Sequence, residues 1–260
     1  MGLYLKYIAL LLKSQLQYRA SFAMTVFTQF LTPFTAFAGI YLLFERFGSI
    51  DGWTAYEVFL CFSIIGASFS IATCMARGFD MFPNMVKNAG FDRVLVRPRG
   101  TIIQVLGSGF DIKRIGHLIQ AIVVLVIAIT GVKINWNIIK ILTLANMIIG
   151  GTCIFSGVYM LQAALAFWTV EGLEVANILT HGVREYASYP LSIFPKWITR
   201  FFTFIIPFSL VNYLPLNSLL GHNSDSHIFY MLLPLVGILF IVPCLLVWNL
   251  GVKHYSSTGS

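Results

Sequence analysis

The sequence predicts an all-α integral membrane protein of about six transmembrane helices, and three observations carry that expectation. Of 260 residues, 58% are hydrophobic and only 10% charged, against about 25% charged in ordinary soluble domains, and mean hydropathy is +0.82. The apolar residues come in long uncharged blocks, not in the short amphipathic stripes of a water-soluble fold. The basic residues gather in alternate connections between those blocks, the pattern that marks cytoplasmic loops.

Residues 1–20 form the first element. Tyr4, Ile8, Leu11, Leu12 and Leu16 recur at helical spacing while Lys6, Lys13, Gln17 and Arg19 take much of the remaining surface, so a helix lying in the membrane interface is expected before the first crossing. That pattern does not fit a cleaved secretory leader, and the N-terminus is expected to be retained. Six blocks then each reach across a hydrocarbon core of ~30 Å at ~1.5 Å per residue: 21–44, 58–76, 115–132, 141–167, 198–220 and 228–252. Block 115–132 is only just long enough, and residues 77–114 before it form the longest connection. Glu171, Glu174, Arg184, Glu185 and Lys196 between the fourth and fifth blocks are too many charges for an easy crossing, so 171–197 reads as an inner interfacial helix leading to a break at Pro190 and Pro195. The fifth block holds Pro207 and Pro215, which predicts a kinked span whose outer end, Tyr213 to Leu220, turns back into the membrane. Irregular backbone at that depth survives only against protein or a wet cavity. Pro207, Asn212, Tyr213 and Pro215 are therefore candidates for the translocation path or an external gate.

Orientation follows from the short connections. With the N-terminus inside, Lys6, Lys13, Arg19, Arg77, Lys87, Arg93, Arg97, Arg99, Lys113, Arg114, Arg184, Lys196, Arg200 and Lys253 all lie on the inner side, fourteen of seventeen basic residues. Only Arg46, Lys133 and Lys140 lie outside, so both termini are expected in the cytoplasm. The net charge of +7 thus reports topology; no basic motif of a nucleic-acid-binding domain accompanies it.

Chemistry is sparse. No Gly-x-x-x-x-Gly-Lys-Ser/Thr loop is present, so any ATP hydrolysis belongs to a partner. Cys61, Cys74, Cys153 and Cys244 lie in apolar blocks without metal-ligand spacing and read as packing residues. His222, Asp225 and His227 fall in a polar connection that lacks the three or four organised ligands of a metal site, and His117 reads as an interfacial histidine beside Lys113 and Arg114. Gln29, Gln120, Asn146 and Gln162 should face other helices, because an unpaired amide in hydrocarbon costs several kcal/mol. Gly150, Gly151, Ser156 and Gly157 should let helices approach closely.

The stretch Gly90 to Gly107, reading GFDRVLVRPRGTIIQVLG, carries the densest positive charge on the inner side. Phe91, Val94 and Leu95 form one apolar face of a short helix, Arg93 and Arg97 project elsewhere, and Pro98 marks its end. From charge alone this is equally a grip for a soluble motor or an anchor to anionic lipid. The run from Gly90 to Pro98 resembles the LD-x-x-L-x-RP signature of the six-helix bacterial permeases of the type-2 ATP-binding-cassette exporters, a subfamily formerly described only as a domain of unknown function. Tyr189-Pro190 to Pro195, Ile205-Ile206-Pro207-Phe208 and Tyr213-Leu214-Pro215 resemble its proline-punctuated fifth span, and the tail from Tyr255 to Ser260 resembles its usual ending. The resemblance implies a permease in the bacterial cytoplasmic membrane that pairs with a second permease, identical or homologous, and docks two copies of a soluble ATP-binding-cassette ATPase. No cofactor is implied on this chain, with ATP and Mg on that partner. It also implies a coupling role for Phe91, Asp92, Arg93, Val94, Leu95, Arg97 and Pro98, with Phe91 and Leu95 the apolar plug and Arg97 the polar contact. Arg93 and Arg99 make this loop more basic than the family pattern. The competing readings are a stand-alone secondary transporter or channel, which would show membrane-embedded acids, and a membrane-bound lipid-modifying enzyme, which would gather His, Asp or Glu at an interface.

Overall fold

A computed structural model describes residues 2–50, 52–132, 134–169, 180, 182–221 and 227–256. Among these the chain is helical, and the single bridge between Ile50 and Trp53 is its one extended contact.

Helix α1 (Gly2–Leu16) breaks at Gln17 and Tyr18, and α2 (Arg19–Phe47) follows. Most of α2 is exposed, with Ile40 and Phe44 turned inward near its end. Thr25, Thr28, Thr32 and Thr35 each donate their hydroxyl to a carbonyl three or four residues back in the same helix, at 2.8–2.9 Å. Gly48, at φ +73°, closes α2 by donating its N–H to the Phe44 carbonyl.

Helix α3 (Ala55–Asp80) opens where the Thr54 N–H donates to the Glu57 carboxylate at 2.7 Å. It is the axis of the bundle. Its buried positions run from Val58 to Phe79 on nearly every face, and it packs on both α7 (Ile115–Gly131) and α8 (Ile138–Leu165). Between them come the short α4 (Phe82–Lys87), α5 (Asp92–Leu95) and α6 (Thr101–Ser108), then a 3-10 turn, Ile112–Arg114, started by Asp111 accepting from the Lys113 N–H.

Close packing depends on the small residues. A side chain at Gly151 would strike Ser68 of α3, one at Gly150 the Pro234 carbonyl, and one at Gly157 Phe240 and Cys244. Gly116 of α7 lies against the backbone of α2 at Val26 and Phe30. The amides behave differently from one another: Asn146 donates to the Met231 carbonyl at 3.2 Å and Gln29 accepts from Arg114 at 3.4 Å, whereas Gln120 and Gln162 are buried with side-chain atoms left unpaired.

After α8 come a helical stretch at 182–187, α9 (Lys196–Phe204), a π-turn (Ser209–Tyr213), α10 (Leu214–Leu220), α11 (His227–Leu232), a 3-10 turn (Leu233–Leu235) and α12 (Val236–His254). Among the described residues five helical runs are long and apolar enough to cross a membrane: Arg19–Phe47, Ala55–Lys87, Ile112–Gly131, Ile138–Leu165 and Phe229–His254. Lys196–Phe204 with Ser209–Leu220, bent by 87°, makes a sixth if the pair is one span.

The segment 171–197 departs from an interfacial helix where it is described; residues 170–179 and 181 lie outside the described residues. The Arg184 guanidinium lies 4.8 Å from the centroid of Phe69, midway along α3, and the Ala187 carbonyl meets Cys61. The 182–187 helix is thus inside the bundle. Val183 and Ala187, four apart, form its buried face while Glu185 points outward, so counting charges overstated the obstacle.

Candidate functional site

Two regions hold the residues that the sequence singles out. The first is the connection from Arg77 to Arg114. The chain leaves α4 through Ala89, whose φ of +53° is unusual outside glycine. The Gly90 N–H then donates to the Met85 carbonyl at 2.8 Å. This tight reversal aims Phe91 back at the bundle. Phe91 is fully buried, with ring centroids 5.0 Å from Phe82, 5.4 Å from Phe167, 6.4 Å from Trp248 and 5.0 Å from Tyr255. Val94, three residues on, is buried beside it.

The opposite side of α5 is open. Arg93, Leu95, Val96, Arg97, Pro98 and Arg99 are exposed, Leu95 by 43% and Val96 by 82%. The expectation that Phe91 and Leu95 share one outward apolar face is therefore corrected: Phe91 with Val94 points into the chain's own core, and Leu95 with Val96 points away. Phe91 precedes and Leu95 ends a helix of only four residues, too short to hold both on one face, and four aromatic neighbours decide which goes in.

Every flank of this knob is tied down. Asp92 accepts from the Tyr255 hydroxyl at 2.9 Å, which pins the end of α12 to the loop. Gln104 of α6 donates to the carbonyls of Val94 and Arg99 at 3.1 and 2.9 Å, and Trp248 donates to Thr101 at 3.3 Å. A side chain at Gly78 would collide with the Val105 carbonyl, and one at Gly109 with the backbone of Gly78, so α6 docks backbone to backbone on the last turn of α3. Helix α1 lies across the other side: Tyr4 donates to the Met75 carbonyl at 3.1 Å, and Arg97 to the Tyr7 hydroxyl at 3.3 Å. Gln15 donates to the Phe110 carbonyl at 2.6 Å and accepts from the Ile112 N–H at 3.1 Å. Arg77 pairs with Asp80 at 3.3 Å and with Asp111 at 3.9 Å, closing the base.

The second region is the bend between α9 and α10. Pro207 is buried at the break, and the cavity of about 620 Å³ beside it is lined by Phe204, Leu210, Phe240 and Cys244. Asn212 is buried in the π-turn, donating to Cys61 Sγ at 3.1 Å and to the Ala187 carbonyl at 3.3 Å, while its Oδ1 has no partner. Tyr213 stands 6.1 Å from Trp53, and Pro215 is buried in the first turn of α10. The two helices meet at 87°, so these four residues line a sharp bend and not a straight span.

His222 and Asp225 lie outside the described residues, as does the side chain of His227; among the described residues no three His, Cys, Asp or Glu side chains are placed to hold a metal. Tyr7, Gln15, Gln104, Trp248 and Tyr255 escaped the sequence reading. Their partners lie between 90 and 163 residues away for all but Gln104, and no local periodicity signals such contacts.

The family model described as ABC-2 family transporter protein matches residues 30–259. No curated protein and no solved structure matches the chain.

Proposed function

The chain belongs to the ABC-2 family of transporter proteins, and from that membership we propose that it is the permease of an ATP-driven exporter in a bacterial cytoplasmic membrane. Its family is a membrane component of transporters that work with ATP-binding-cassette ATPases. Hydrolysis takes place on that partner, where ATP and Mg are held, and this chain is not itself an enzyme. Two ATPase copies and a second permease, identical or homologous, complete the assembly. Both termini lie in the cytoplasm, with α1 as an elbow in the inner leaflet and residues 77–114 as the coupling loop.

The observation that carries this reading is the two-sided α5 turn. Phe91 and Val94 anchor it in the core, and the chain presents Arg93, Leu95, Val96, Arg97 and Pro98 outward. A docking peg must be apolar enough to seat and rigid enough to push. Here Leu95 and Val96 supply the apolar tip and the basic side chains its rim, while the Tyr255–Asp92, Gln104 and Gly78–Val105 contacts carry force into α12, α6 and α3. Closure of the ATPase pair then tilts α3, and the bend at Pro207, Asn212, Tyr213 and Pro215 opens as the external gate. A purely lipid-anchoring loop has no need of such bracing.

Affinity purification in mild detergent from native membranes, with mass identification and stoichiometry, tests the proposal. A soluble ATPase recovered with the chain, and lost from a Leu95→Asp, Val96→Asp variant that still inserts, is the expected result. A chain recovered alone that transports without ATP would replace the proposal with a solitary transporter.

A further inference from the structure

Helix α2 packs mainly on α7. Where its last three turns stand off α3 they leave a cavity of about 460 Å³, within the roughly 300–1,000 Å³ of small-molecule sites. Phe37, Tyr41 and Phe44 of α2 line it together with Tyr56 and Phe59 of α3, five aromatic rings around one space. Among the described residues Glu45 is the one charged group in its wall.

Positions 37, 41, 44, 45 and 48 follow one another at i, i+4, i+7, i+8 and i+11, a single stripe of a helix. Gly48 ends that stripe with open space where a side chain would stand, which leaves the mouth clear. The rings are braced. Phe37 and Phe59 lie 4.6 Å apart, Tyr56 stands edge-on to Phe59 at 6.2 Å, and a side chain at Gly131 of α7 would strike the Tyr56 ring, so the α7 backbone holds it from behind. Phe44 and Phe59 are buried while Tyr41, Glu45 and Tyr56 are exposed, so the cavity is apolar at its floor and polar at its edge. Glu45 sits in the last turn of α2, where the negative end of the helix macrodipole disfavours a carboxylate. No ion pair among the described residues includes it, and the neighbouring Arg46 lies over the ring of Phe47 at 5.8 Å instead. Helix stability therefore does not account for the acid. A cation beside it is favoured three times over, by the carboxylate, by the helix terminus and by the negative faces of the rings.

We propose that this cavity binds an organic ammonium group carried on an apolar tail, with Glu45 as counter-ion and the five rings as its cage. Aromatic cages suit quaternary ammonium groups because such a cation offers no N–H to a hydrogen-bond acceptor and is held by ring faces instead. A zwitterionic phospholipid fits less well: its phosphate would follow the ammonium toward Glu45, and no Lys or Arg among the described lining residues is there to receive it. Phe59 lies about 32 Å along α3 from Asp80 at ~1.5 Å per residue, so the cavity is at the opposite end of the bundle from α5. Reading the bound amine as cargo rests on the permease proposal above; the binding itself does not.

The test uses the full chain alone in dodecyl maltoside, a neutral detergent with no ammonium of its own, titrated with dodecyltrimethylammonium, dodecylphosphocholine and dodecanol. Because the ATPase takes no part, a failed co-purification and a failed titration are separate results. Saturable binding of one dodecyltrimethylammonium per chain is expected, at least tenfold tighter than either dodecanol or dodecylphosphocholine. Glu45→Gln should lose at least tenfold of that affinity, Glu45→Asp less, and Glu185→Gln, at an exposed acid outside the cavity, none. Tyr41→Leu, at a side chain 52% exposed, should weaken dodecyltrimethylammonium severalfold and leave dodecanol unchanged. Glu45 and Tyr41 both lie at the surface, where substitutions leave the fold intact. Equal affinity for dodecyltrimethylammonium and dodecanol, or wild-type affinity in Glu45→Gln, overturns the site. Dodecylphosphocholine bound as tightly as dodecyltrimethylammonium overturns its assignment to a simple cation in favour of a phospholipid headgroup.

Discussion

Truncating Phe91 to alanine separates an anchor from a plug. The side chain is fully buried and meets four rings at 5.0–6.4 Å, and three of these, Phe82, Phe167 and Trp248, also stack on one another at 4.9–5.3 Å. Rings so braced cannot collapse into the space left behind, which places Phe91→Ala toward the usual cost of about 3–5 kcal/mol for deleting a buried phenyl group. Phe91 is the ring that α5 contributes to this cluster, so the loss is expected to show first in that turn. At ~1.4 kcal/mol per decade, local opening should rise by about two to nearly four orders of magnitude. Hydrogen exchange with mass spectrometry on peptides covering 85–105 reads it directly, because the amides of Gly90, Val94 and Leu95 are held there by main-chain bonds. Leu95→Ala, at a side chain already 43% exposed, should change exchange by less than about fivefold, in keeping with ~0.5 kcal/mol at a surface site. If Phe91→Ala left exchange at wild-type levels and instead abolished capture of the ATPase, Phe91 would be the outward plug and the two-sided account of α5 would be wrong.

Three further outcomes follow from the packing. Gly78→Ala sets a methyl group against the Val105 carbonyl; the obstacle is backbone, so α6 must shift, and thermal melting in detergent should show a loss of about 1–3 kcal/mol or more. Gln15→Ala strands the Phe110 carbonyl and the Ile112 N–H; at about 1–2 kcal/mol for the two partly buried bonds, exchange of residues 110–114 should rise roughly tenfold while the melting of α8 and α12 stays put. Asn212→Leu removes two hydrogen bonds together with the orphaned Oδ1, so melting should stay within about 1 kcal/mol of wild type; a fall of several kcal/mol would mean that Asn212 holds the bend together.

The membrane class was legible because hydrocarbon imposes a single composition on whatever it touches: the blocks around Ile40, Ile64, Val124, Ile154 and Cys244 carry almost no charge. The small residues at Gly150, Gly151 and Gly157 were legible for the same reason, since helices in lipid approach closely only where side chains are absent. Direction was not. Whether Phe91 or Leu95 turns inward depends on Phe82, Phe167, Trp248 and Tyr255, which arrive from three other parts of the chain. The 182–187 helix was misplaced by its charges, because a count cannot see that Arg184 rests on Phe69 and that Val183 and Ala187 share a face. The bend near Pro207 was foreseeable from the prolines; its partners, Cys61 and Ala187, were not.

The threonines of α2 bear on how the protein is made. Thr25, Thr28, Thr32 and Thr35 spend their hydroxyl protons on carbonyls of their own helix. This segment precedes the helices it packs on, so its hydroxyls need none of them for a partner. Its threonines bring no unpaired hydroxyl with them; Gln29 is paired later, when Arg114 donates to it and Gly116 seats α7 on the helix backbone.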